Sequence, residues 1–125
     1  MSFREGGGIV LLVESYDFGR IKVGGRKYDM DLIFYSTGEV YPGWWRREGH
    51  AICLEDLKEV LKDPPEVLVV GTGYHGLVKV LDEVREKLRV MGVELIEAPT
   101  AEACEKYNEL CKSGRRVAAA LHLTC

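Results

Sequence analysis

Short apolar runs alternate along this chain with glycine and proline punctuation, and two longer stretches repeat apolar residues every three or four positions. Val67-Leu68-Val69-Val70 and residues 117–121 are apolar at successive positions, as expected of strands buried on both faces. Glu94-Leu95-Ile96-Glu97 mixes polar and apolar positions, which suits a strand nearer a sheet edge. Leu77, Leu81, Val84, Leu88 and Met91 form a stripe that predicts a helix beginning directly after Gly76 and closed by Gly92. Ala103, Cys104, Tyr107, Leu110 and Cys111 mark the inward face of a second helix, with Thr100 as its N-cap and Ser113-Gly114 at its end.

The first half reads as β-rich. Strands are expected over residues 9–14, 21–23, 26–28, 31–35 and 39–41. Turns fall at residues 15–19, at Gly24-Gly25 and at Thr37-Gly38. A short strand over residues 50–54 and a short helix over 55–62 follow, and Asp63-Pro64-Pro65 stops the helix.

Strand, helix, strand, helix, strand in the second half implies two right-handed crossovers and a parallel sheet. Ranking the strands by polarity orders them 94–97, 67–70, 117–121, with 31–35 extending the far side and one helix on each face. The expected fold is therefore α/β: a three-layer single domain spanning residues 1–125. It has a central, mostly parallel sheet, helices on both faces and an added N-terminal antiparallel hairpin layer. The order places a topological switch point at the carboxyl end of the 67–70 strand, where Gly71, Thr100 and the tail Thr124-Cys125 should gather.

Composition changes this picture little. The chain has 125 residues, 46% of them hydrophobic and 30% charged, which is ordinary for a soluble globular domain. A net charge of −3 argues against a dedicated nucleic-acid binder. No uncharged run reaches a membrane span of about 20 residues. Residues 1–8 lack a secretion pattern, so the expectation is a cytoplasmic protein with no membrane partner. The absence of Gln and the single Asn, Asn108, resemble compositions from hot environments. Cys53, Cys104, Cys111 and Cys125 have no metal-ligand spacing, and Cys104 and Cys111 are expected to face inward.

Gly71-Thr72-Gly73-Tyr74-His75-Gly76 has the spacing of a dinucleotide fingerprint, and Glu97 sits where a ribose-binding carboxylate would. Only 49 residues follow Gly76, too few for a second mononucleotide half, so no NAD, FAD or other cofactor is expected. Two readings remain for the turn. Its backbone N–H groups hold a phosphate or carboxylate, with Gly71, Thr72, Gly73, Gly76, Thr100 and Thr124 around it; or its glycines simply let helix and sheet pack closely.

Trp44-Trp45-Arg46-Arg47-Glu48-Gly49-His50 is the second notable stretch. Adjacent tryptophans in extended chain point to opposite faces, so one packs inward while the other stacks on Arg46 or lines a groove. Trp44, Trp45, Arg46 and His50 are the residues expected to contact a protein partner. His50, His75 and His122 lie in no metal motif, and His122, in a largely apolar strand, reads as a hydrogen-bonded core or edge histidine.

Six segments together resemble the Mth-type domain family of unknown function. They are Ser15-Tyr16-x-Phe18-Gly19, Tyr28-x-x-Asp31-Leu32-Ile33, Trp44-Trp45-Arg46-x-x-Gly49-His50, Gly71-Thr72-Gly73, Thr100-x-x-Ala103-x-x-x-Tyr107-Asn108 and His122-Leu123-Thr124-Cys125. The resemblance spans nearly the whole chain and implies a compact α/β domain with an added β layer. It implies no established catalytic residue, and some eukaryotic members assist the assembly of respiratory complex I. The expected function is a non-catalytic binding or assembly module with a protein partner. The alternative is a small-ligand protein or enzyme that holds an anion at the glycine turn.

Overall fold

Five strands build the central sheet: β4 (Leu32–Tyr35), β5 (Val40–Pro42), β7 (Val67–Thr72), β9 (Glu94–Ala98) and β10 (Val117–His122). The computed structural model describes residues 10–125, so the leader reading of residues 1–8 and the start of the strand expected over 9–14 lie outside it. The order is β5-β4-β10-β7-β9. β10, β7 and β9 run parallel, while β4 pairs antiparallel with β10 and β5 with β4. The order read from polarity is thus the observed one. β7 and β10 are buried at every position, which is why both faces of these runs are apolar.

Alternation along the strands divides the core into two layers. Leu32, Phe34, Val67, Val69, Val117, Ala119 and Leu121 face α3 (Thr100–Lys112) and the hairpin layer. Ile33, Tyr35, Leu68, Val70, Ala118 and Ala120 face α1 (Lys58–Lys62) and α2 (Asp82–Met91). The three alanines of β10 suit its neighbours, since Ala118 pairs with Tyr35 and Ala119 with Phe34. Small residues opposite large ones let the sheet stay close-packed.

The hairpin layer consists of β1 (Val13–Asp17), β2 (Arg20–Val23) and β3 (Arg26–Tyr28), all antiparallel. It lies on the α3 side, with Val13, Ile21 and Val23 in that core. Asn108 of α3 brackets it: Val13 N–H donates to Asn108 Oδ1 at 2.9 Å, and Asn108 Nδ2 donates to Val13 O at 2.8 Å.

Three local expectations need correction. Residues 15–17 belong to strand β1, and only Phe18-Gly19 turns, with Gly19 at φ 78°. The polarity of Ser15 and Asp17 marks the outward face of a strand, displaced by a bulge after Val13. The expected helix over 55–62 starts as a 3-10 turn, Leu54–Leu57, before α1.

The third correction is the largest: no helix follows Gly76. Residues 77 and 78 lie in neither helix nor strand, β8 (Lys79–Val80) pairs parallel with β6 (Ala51–Ile52), and α2 begins at Asp82. Leu77 is 51% exposed and Leu81 40%, while Val78 and Val80 between them are buried. The spacing of four between the leucines imitates a helix. The period of two in the valines, which are β-branched and have β6 to pair with, decides the outcome.

Candidate functional site

The glycine turn sits at the carboxyl ends of β7 and β10, together with Thr100 and the tail, as the strand order requires. Three of its donors are used internally. Gly73 N–H donates to Thr100 Oγ1 at 2.9 Å, Tyr74 N–H to Thr124 O at 2.7 Å, and Gly76 N–H to Gly73 O at 3.1 Å. Thr100 is fully buried and is the first helical residue rather than the N-cap, a position held by Pro99. Its hydroxyl donates to His122 O at 2.6 Å, so one side chain ties β7, α3 and β10 together. The macrodipole of α2 plays no part here, because that helix starts beyond β8.

The glycines themselves answer to packing. A Cβ on Gly71 would lie 2.7 Å from Leu121 Cδ2 and 2.9 Å from Thr100 Oγ1. Gly73 combines φ 105° with a Cβ position 2.8 Å from the Cys125 backbone oxygen. Thr100→Val should cost about 1–3 kcal/mol, because Gly73 N–H and His122 C=O both lose a buried partner. Chemical denaturation checks this; a loss under half a kcal/mol would mean water replaces the hydroxyl at no cost.

Beside this turn lies a charged cluster whose three members fall in three separate segments of the family resemblance. Asp31 precedes β4, Arg46 follows β5 and His122 ends β10. Arg46 Nη1 donates to Asp31 Oδ2 at 2.9 Å, and Leu123 N–H donates to Asp31 Oδ1 at 2.8 Å. His122 Nδ1 lies 2.7 Å from Asp31 Oδ2 and 3.0 Å from Arg46 Nη2. The side chains of Arg46 and Asp31 are 7% and 18% exposed. Burial pushes the Asp31 carboxyl upward, but hydrogen bonds from His122, Leu123 N–H and Arg46 outweigh it and hold the group below its usual range.

Arg46 links this cluster to the tryptophans. Its guanidinium lies 4.9 Å from the Trp44 ring centroid, and Trp44 Nε1 donates to Asp56 O at 2.8 Å. Trp44 is the ring that packs inward, and Arg46 stacks on it rather than on the outer Trp45 as the alternation suggested. Trp45 is 75% exposed. It borders a groove of about 750 Å³ with Tyr41, Pro42, Trp44, Arg47 and Lys58 along its walls. Arg47 pairs with Glu55 at the rim.

The residues expected to contact a partner therefore separate. Trp44 and Trp45 line the groove, and Arg46 is buried beneath it. His50 is exposed, and its carbonyl accepts Lys79 N–H at 2.8 Å. Cys104 and Cys111 face inward, and burial pushes the Cys104 thiol up to about 12. Among the described residues, no three His, Cys, Asp or Glu side chains are grouped to hold a metal ion. No helix among them is long and apolar enough to cross a membrane.

The segments behind the family resemblance converge here. Tyr16 Oη donates to Leu123 O at 2.9 Å, Phe18 meets Tyr74 edge-on at 5.4 Å, and Asp31, Arg46, Thr100 and His122 interlock as described. A family model described as a protein of unknown function (DUF498/DUF598) matches residues 13–122. A conserved hypothetical protein from Pyrococcus horikoshii OT3 is 31% identical with a TM-score of 0.77, over 90% of this chain and 98% of that one. A solved structure titled MT938 is also 31% identical, TM-score 0.76, over 92% and 99% of the two chains. A Mth938-like domain protein from Bordetella pertussis is 29% identical, TM-score 0.69, over 98% and 92%.

Proposed function

The chain belongs to the DUF498/DUF598 family of unknown function, and from that premise we propose a non-catalytic binding module that docks a protein partner in the groove beside Trp45. One observation carries this reading: a tryptophan 75% exposed, held between two residues that are themselves fixed. Trp44 is anchored through Asp56 O and Arg46 through Asp31. Asp56 staples the segment again, since its carboxylate accepts Arg47 N–H at 3.1 Å and Cys53 N–H at 2.9 Å. An aromatic side chain presented on a rigid frame loses little freedom on binding, which is the usual character of an interface anchor.

The glycine turn then serves assembly of the fold. An anion there would compete with Thr100, Thr124 and Gly73 for donors already in use.

Trp45→Ala separates binding from folding. It should weaken capture of a partner retained by the wild-type chain by about 2 kcal/mol, roughly 30-fold. Stability should change by less than about half a kcal/mol, because the ring makes few internal contacts. Quantitative pull-down from the native source, followed by titration of the retained protein, measures the first effect. Equal recovery by both chains would sink the proposal.

A further inference from the structure

We propose that Asp31, Arg46 and His122 form a proton-controlled latch that sets the position of the segment 44–49. The argument starts from one nitrogen. His122 Nδ1 is 2.7 Å from Asp31 Oδ2 and 3.0 Å from Arg46 Nη2, and both distances are within hydrogen-bond range. A ring nitrogen carries either a proton or an in-plane lone pair. With the proton, Nδ1 donates to Asp31, and Arg46 Nη2, which only donates, is left with the Gly49 carbonyl at 3.4 Å as its acceptor. With the lone pair, Nδ1 accepts from Arg46, and two electron-rich atoms face each other across the 2.7 Å contact to Asp31. Only one of these contacts is a hydrogen bond at any moment. The location of a proton therefore decides how Arg46 is held.

Charging the imidazole tips the balance. Both ring nitrogens then donate, and Asp31 Oδ2 is shared by two cations whose nearest nitrogens are 3.0 Å apart. Repulsion between like charges at this range is strong where solvent is largely excluded. Arg46 is the partner that yields. His122 is fixed in β10, whose register runs through Thr72 of β7, whereas Arg46 lies outside any strand or helix. Arg46 Nε is also buried without an acceptor, so the seated guanidinium has an unmet donor that solvent would satisfy.

Asp31, from the loop before β4, and Arg46, from the segment after β5, are the charged groups facing the ring within hydrogen-bond distance. On the opposite side the Thr124 hydroxyl lies 3.5 Å from Nε2, and the Cys125 backbone oxygen flanks Gly73 alongside the ring edge. Unseating Arg46 strips the guanidinium from the Trp44 ring and loosens the frame of Trp45. The consequence for partner binding rests on the reading given above; the latch itself does not.

The test follows the full chain by NMR between about pH 8 and 5, the interval in which imidazoles ordinarily titrate. The His122 ring signals and the indole N–H signals of Trp44 and Trp45 should move with one common midpoint. His122→Asn keeps a neutral polar group at the ring position and should abolish the indole transition, with the circular dichroism of the fold retained. His50→Gln should leave the transition in place. The latch is overturned if His122 titrates while both indoles stay still, or if His122 keeps one state across the interval. Transfer of the transition to His50 would overturn it equally. Should His122→Asn fail to fold, coincidence of the wild-type midpoints decides alone. None of these readings needs a partner, so a failed latch and a failed docking surface are distinguishable.

Discussion

Arg46→Ala should destabilise the fold by about 3–5 kcal/mol, because it leaves a largely buried carboxylate without its cationic partner. The removed guanidinium neutralises a carboxylate that is 18% exposed and sits between two strands of the central sheet. Asp31 keeps the Leu123 N–H and His122, but loses its only arginine contact among the described residues. The acid side of the stability profile should respond in a defined direction. Asp31 is held below its usual range in the folded chain, so it adds stability above about pH 4, where an unfolded Asp is ionised. That contribution disappears as pH falls through the lowered folded value. While Arg46 is seated it helps to keep the folded value low, so without it Asp31 contributes less stability near neutral pH; once charging of His122 has released it, wild type and variant should converge towards acid. Urea titrations at several pH values, on wild type and Arg46→Ala, measure both effects. A loss below about 1 kcal/mol near pH 8 would show that the cluster is solvated rather than structural.

Tyr107→Ala should cost a similar 3–5 kcal/mol, through a different cause. The ring is fully buried and meets Phe34 edge-on at 5.0 Å, where β4, α3 and the hairpin layer come together. Its hydroxyl donates to Leu11 O at 2.7 Å. Tyr107→Phe keeps the ring and removes that hydrogen bond alone, which should cost about 1 kcal/mol. The difference between the two variants in chemical denaturation isolates the cavity. If both lose equally, the hydroxyl carries the interaction and the packing argument is wrong.

The sheet was legible in the sequence because polarity reports burial on two faces. Residues 67–70 and 117–121 could only sit centrally, Glu94 and Glu97 needed solvent, and the order followed. The resemblance seen across six scattered segments also holds, since the matched family spans residues 13–122. Residues 77–81 misled because leucines four apart satisfy a helical period as readily as the valines between them satisfy a strand. Only the presence of β6 as a partner, a tertiary fact, distinguishes the two.

The charged cluster was illegible for a related reason. Its members are 91 and 76 positions from His122 in the chain, and they fall in three separate segments of the family resemblance, none of which points to the other two. A signal existed nonetheless. Asp31 and His122 are polar residues at the ends of strands otherwise fully apolar, and such residues at buried ends require partners. Thr100 carried the right importance under the wrong role: it was expected to cap a helix and instead joins three elements from inside.

Asn108 has a consequence of a different kind, in the ageing of the molecule. A chain with no Gln and one Asn has a single side-chain amide to lose. That amide is the bracket between α3 and Val13, accepting through one atom and donating through the other. Hydrolysis to a carboxylate would leave the acceptor and convert the donor into a second acceptor, facing Val13 O across 2.8 Å. The composition that removes side-chain amide hydrolysis everywhere else concentrates it at the seam of the hairpin layer, where it would act as a clock on the attachment of that layer.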